Sequence, residues 1–144
     1  MAVDTVRVRS VDNVVIAFFE PDLELTTASA QRWFEAAELP GASISLILTV
    51  GPLSIDPELR RAIVATLERV HMRVVAVTDN RLNRGLIGTF GWLGVSVSTY
   101  PWSQLDEAAR DVASRPELIA PIVRAARALR AESPAAAGLE PDEG

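Results

Sequence analysis

The sequence predicts an α/β domain: a mostly parallel five-stranded sheet with helices on both faces. Three observations lead there. Short apolar runs, VVIAFF within Asn13–Phe19, ISLILTV within Ser43–Val50 and VVAV within Arg73–Val77, alternate with stretches of helical periodicity. The runs are almost continuously apolar, as strands covered on both faces are. Finally, 49% of the 144 residues are hydrophobic and 23% charged, enough apolar material for one core and too little length for two.

The chain opens on two strand-like runs, Thr5–Arg9 and Asn13–Phe19, joined by a Ser-Val-Asp-Asn turn region. In the first, Val6 and Val8 alternate with Arg7 and Arg9, so it reads as a half-exposed, antiparallel edge strand. A helix follows, capped by Thr26 or Thr27, with Ala30, Trp33, Phe34 and Ala37 on one face and Leu39-Pro40-Gly41 as its stop. Gly51-Pro52 ends the next strand. Asp56-Pro57-Glu58 then opens a helix with an N-cap, a first-turn proline and an acid at the positive end of the dipole. Leu59, Ala62, Ile63, Leu67 and Val70 form its apolar stripe.

After the strand at Arg73–Val77, Asp79-Asn80 leads into a glycine-rich helical segment, Asn83–Gly94. Val95–Tyr100 alternates like an edge strand and Pro101 ends it. Ser103-Gln104-Leu105-Asp106 opens a helix to about Ala113, and a last helix runs from Pro116 to Ala131 with Pro121 disturbing its first turn. The order is ββαβαβαβα plus one helix. One domain is expected over 1–131, including the extra helix at 116–131, with a disordered acidic tail over 132–144.

Composition removes much chemistry. All 14 basic residues are Arg, so Schiff-base and P-loop lysines are excluded. Cys is absent, which removes disulfides, thiolate nucleophiles and Cys-based metal sites. The one histidine, His71, cannot build a multi-histidine site, and it precedes a strand, at the wrong end of the sheet for a Ser-His-Asp triad. No metal or cofactor is called for. The net charge of −5 disfavours nucleic acid, although Glu132, Glu140, Asp142 and Glu143 supply four of those charges and leave 1–131 near neutrality. No apolar run reaches membrane-spanning length and no signal peptide is visible, so a cytoplasmic location is expected.

The segments LTVGPLSIDPELRRAI, RVVAVTD, GTFGWLG and VSVSTYPWSQLDEAARDV, in this order, resemble the STAS domain and, more narrowly, the SpoIIAA-like proteins, over about Val3 to Ala113. The resemblance implies a STAS-like fold, an aromatic-bearing helix after the fourth strand and a terminal helix near Glu107-Ala108. It also implies a non-enzymatic protein that binds protein partners, switched in some members by phosphorylation after the third strand. Ser54 is the nearest serine, but the Asp-Ser-Ser-Gly-Leu-Gly pattern of those members is missing here.

The expected partner surface comprises Ser54 with Asn83, Arg84, Phe90 and Trp92. In that segment Gly85, Gly88, Gly91 and Gly94 recur every third residue, at a cost of about 0.5–1 kcal/mol for each mid-helix glycine. On the last helix, Leu118, Ile122 and Leu129 form an apolar face suited to self-association into a homodimer, and Arg124, Arg127 and Arg130 a basic row. The expectation is therefore a non-catalytic regulatory or scaffold module acting through a protein partner. The alternatives are a lipid or small apolar ligand domain, and a small hydrolase-like enzyme using Asp79 and hydroxyl groups.

Overall fold

The strands form on the apolar runs: β1 (Val6–Val11), β2 (Val14–Phe19), β3 (Ile44–Leu48), β4 (Arg73–Val77) and β5 (Val97–Tyr100). The helices are α1 (Gln31–Ala37), α2 (Pro57–Val70), α3 (Arg81–Trp92), α4 (Leu105–Val112), α5 (Ile119–Ala131) and the short α6 (Pro134–Ala137). This computed structural model describes residues 6–21, 25–92 and 94–137.

The sheet order is β1-β2-β3-β4-β5, with β1 antiparallel to β2 and the other pairs parallel. Three successive crossovers step the same way across the sheet. Crossovers of one hand must then leave their helices on one face. Trp33 of α1, Leu59, Ile63 and Leu67 of α2, and Phe90 of α3 do share one core, with Val15, Ala17 and Phe19 of β2. The alternate β2 residues, Val14, Ile16 and Phe18, face the other core, with Ala108 and Val112 of α4 and Ile122 and Leu129 of α5. β2 is buried along its whole length because the two-residue period feeds both layers.

Several expectations are corrected. β1 runs on to Val11, so the turn shrinks to Asp12-Asn13, with Asp12 in the left-handed region (φ 54°). Arg7 is buried instead of exposed. α1 starts at Gln31; Thr26 instead closes the preceding turn, its Oγ1 accepting from the Ser29 amide. α2 matches its signals, the Asp56 carboxylate accepting from the Glu58 amide.

The self-association face is corrected too. Leu118, Ile122 and Leu129 are all buried against the second face of the sheet. The single-sided crossovers leave that face bare, and α4, only eight residues long, cannot cover it without α5. The first residues of the expected tail, 132–137, are ordered. Ser133 and Ala136 are buried, and the Ser133 hydroxyl donates to Glu20 at 2.9 Å. Residues 138–144 lie outside the described residues. No helix among the described residues is long and apolar enough to cross a membrane.

Candidate functional site

At the carboxyl ends of the parallel strands, where an α/β sheet commonly binds ligands, the polar groups are occupied with holding loops. The Asn83 side chain is buried. Its Oδ1 accepts from the Leu53 amide at 2.9 Å and its Nδ2 donates to the Gly51 carbonyl at 2.6 Å. Asp79 accepts from the Trp102 amide, and the Trp102 indole donates to the Thr49 carbonyl at 2.8 Å. Arg130 stacks over the Trp102 ring, 4.5 Å from its centroid. The crevice rule for such sheets depends on a reversal of strand order, and this order does not reverse. Asp79 holds the backbone at the start of the Trp102 turn.

The expected partner surface is not one patch. Asn83 is a buried clamp and Phe90 belongs to the core, packed under α2, because α3 turns its Ile87 and Phe90 face toward the sheet. Ser54 and Arg84 are exposed, and Trp92 is 87% exposed. Ser54 sits beside the start of α3, whereas Trp92 ends the helix, about 13 Å further along its axis. The Ser54 loop is pinned by its own carbonyl, which accepts from the Leu25 amide at 2.7 Å. The glycines of α3 do not serve close packing either: a Cβ at Gly85, Gly88 or Gly91 would meet open space.

The opposite end of the sheet holds a different arrangement. An open cleft of about 500 Å³ lies between the end of α2, the start of β4 and the loop entering β5. Glu68, His71, Gly94 and Ser96 line it. His71 is exposed and ends α2 in the left-handed conformation (φ 56°), its amide donating to the Leu67 carbonyl. Glu68 Oε2 lies 3.9 Å from where a Cβ on Gly94 would stand, so the carboxylate reaches across the cleft. An imidazole and a carboxylate three residues apart thus share one concave surface.

Leu67, buried, lines this cleft and also a second space, an apolar cavity of about 40 Å³ between the sheet, α2 and α3. Phe19, Ile47, Ile63, Ile87 and Phe90 are among its walls, and no polar side chain lines it. A cavity of that character stays dry. The sequence did not disclose this site, because His71 was weighed against a multi-histidine site and a triad at the other end of the sheet, never together with Glu68. The available signal was a solitary histidine following a glutamate by three residues at a helix terminus.

A polar cluster on the second face has a structural role. The Tyr100 hydroxyl donates to Asp111 at 2.7 Å, and Arg73 pairs with the same carboxylate at 2.9 Å. Burial raises the Asp111 pKa, but the Tyr100 and Arg73 contacts outweigh it and leave the carboxyl below its usual value. The hydrogen bond to Asp111, with burial, pushes the Tyr100 hydroxyl up. Among the described residues no group of three or more His, Cys, Asp or Glu side chains could hold a metal ion.

No protein-family model matches the chain, and no curated protein matches it by sequence. A crystal structure of an enoyl-CoA hydratase from Mycobacterium avium subsp. paratuberculosis K-10 shares the fold, with a TM-score of 0.50 and 15% identity. The likeness covers 94% of this chain and 90% of that one, so it extends over nearly all of both. At this identity the likeness concerns the fold. It nevertheless corrects the expectation of a non-catalytic, non-enzymatic binding module, because a chain with this architecture is described as an enzyme. A sparse catalytic inventory no longer decides for binding over catalysis.

Proposed function

We propose that this chain is a small enzyme acting on an apolar acyl substrate, the unsaturated acyl thioester named for its structural neighbour being the class to assay first. One observation carries the reading: the cleft bearing Glu68 and His71 adjoins, through Leu67, a wholly apolar cavity. Apolar cavities with a few convergent polar groups at the mouth are the usual form of a small-molecule site. Hydration of a 2-enoyl thioester needs a base that takes a proton from water as its oxygen attacks the β-carbon. It then needs an acid that returns a proton to the α-carbon. A carboxylate and an imidazole are side chains of the kind that act as such a base and acid.

The apolar cavity holds only the end of an acyl chain at rest. A longer chain enters by displacing α3, whose three internal glycines each weaken the helix by about 0.5–1 kcal/mol. For the fold family we propose the STAS-like arrangement; the antiparallel first strand and the sequential strand order support it. That assignment brings no activity with it, since one fold hosts many functions.

The test is hydration of short and medium 2-enoyl thioesters by the purified protein, alongside Glu68→Gln and His71→Gly. Glycine suits the left-handed backbone at position 71, so the second variant keeps the fold. Each substitution should lower the rate by about 10²–10⁴-fold, the usual range for a lost acid or base. Absence of turnover together with absence of acyl-thioester binding would overturn the proposal.

A further inference from the structure

The two edges of the sheet are built differently. β1 carries Arg7 and Arg9, and α5 returns over it where the Leu129 carbonyl accepts from Arg7. Charged side chains and a covering element are the usual protection of a strand edge. β5 has neither a charge nor a proline between Val95 and Tyr100. It pairs with β4 alone and ends the sheet. The Ser96 and Tyr100 carbonyls turn inward, accepting from the Val74 and Thr78 amides at 2.9 Å. Backbone direction alternates along a strand, so the N–H and C=O groups of Val97 and Thr99 point outward. No strand among the described residues lies beside them.

The helix beside this edge adds little bulk to it. Thr89 of α3 accepts a hydrogen bond from Arg60 of α2, so that flank of α3 faces α2. At about 100° per residue, Arg84 and Gly91 lie on the opposite flank, toward the open edge. A Cβ at Gly88 or Gly91 would meet open space. Arg84 is exposed, and no carboxylate among the described residues pairs with it.

We infer that β5 is the contact of a homodimer: two copies pair edge to edge, antiparallel, about a two-fold axis at Ser98. Val97 of each copy then exchanges both backbone hydrogen bonds with Thr99 of the other, and the two sheets become one. The edge complements itself, since uncharged side chains meet across the axis. It offers only Val97 and Thr99 before Pro101, too little to order a flexible peptide, whereas a second copy brings its strand already extended. The helices follow the strands. α3 of one copy runs antiparallel to α3 of the other, which brings Arg84 toward a helix end whose free carbonyls carry the negative pole of the dipole. The same register sets Ser96 of one copy opposite Tyr100 of the other. Ser96 lines the cleft of Glu68 and His71, so both clefts open beside the interface. The pairing needs none of the acyl chemistry proposed above.

The experiment is molar mass by sedimentation equilibrium, over a range of concentrations, for the wild type, Ser98→Lys and Ser98→Glu. Ser98 is half-buried at the edge, where a long side chain reaches water, so each variant keeps its fold, as thermal unfolding checks. Across the axis the two residues stand about 4.5 Å apart at Cα. Either variant alone sets like charges there and should raise the dimer dissociation constant by about tenfold or more. An equal mixture of the two should regain the mass of two chains, because opposite charges then meet. A wild type with the mass of one chain at every concentration overturns the inference. So does a dimer that both variants leave unmoved, and so do folded variants whose mixture stays monomeric.

Discussion

The Arg7 guanidinium donates to the Glu20 carboxylate at 2.9 Å across the first hairpin, and both side chains are about nine-tenths buried. Arg7 also donates to the Leu129 carbonyl at 2.7 Å, and its Nε stands 3.3 Å from Glu132. Glu20 in turn accepts from Ser133. One ion pair therefore ties the edge strand to the end of α5 and the start of α6.

Arg7→Ala should destabilise the fold by about 3–5 kcal/mol, because it leaves the Glu20 carboxylate buried without its cation. Replacing both partners with apolar residues should cost much less than the single change. Urea denaturation of the single and double variants measures this. Loss of under about 1 kcal/mol in Arg7→Ala would show that water reaches the pair.

The Asp111 carboxyl lies below its ordinary value of 3.8 in the folded protein. Its contribution is therefore present above that value and fades as pH falls through the lower folded one. The Tyr100 hydroxyl lies above 10.0, so its contribution is present below pH 10.0 and fades as pH rises through the folded value. Tyr100→Phe should cost about 1 kcal/mol near neutral pH and flatten both dependences. Stability curves of the two proteins across pH check it, and superimposable slopes would refute it.

Gly85→Ala, Gly88→Ala and Gly91→Ala should each stabilise the protein by about 0.5–1 kcal/mol, since the new methyl groups meet open space in a helix. The triple variant should also admit long acyl chains less readily, because a firmer α3 yields less. Thermal unfolding reads the first effect and chain-length profiles the second. Destabilisation would mean that the glycines serve a close contact.

Phe90→Ala should cost about 3–5 kcal/mol, whereas Trp92→Ala should stay within about 0.5 kcal/mol. Ile122→Ala should lower stability by about 2–5 kcal/mol with no change in molar mass by light scattering. A change in mass at unaltered stability would return that face to an interface.

Local chemistry made much of the fold legible. β2 is wholly apolar, β3 and β4 are so but for Ser45 and Arg73, and Asp56-Pro57-Glu58 carries its helix start in three adjacent residues. The site was not legible, because nothing in the sequence ranks His71 above an ordinary capping residue. Its meaning depends on what stands opposite: Glu68 reaching toward Gly94, and the apolar cavity beyond Leu67.

The α/β class, the antiparallel first strand, the edge position of the last strand and the absence of lysine and cysteine chemistry all followed from the sequence alone. Periodicity and composition are local quantities, and those properties depend on nothing else. Which apolar stripe faces the sheet is a property of the whole. Phe90 and Ile122 could have met a partner or the core, and the sheet order decided for the core. Placing every crossover helix on one face left the other to be closed by α4 and α5, and Arg7 was buried where α5 returned over β1.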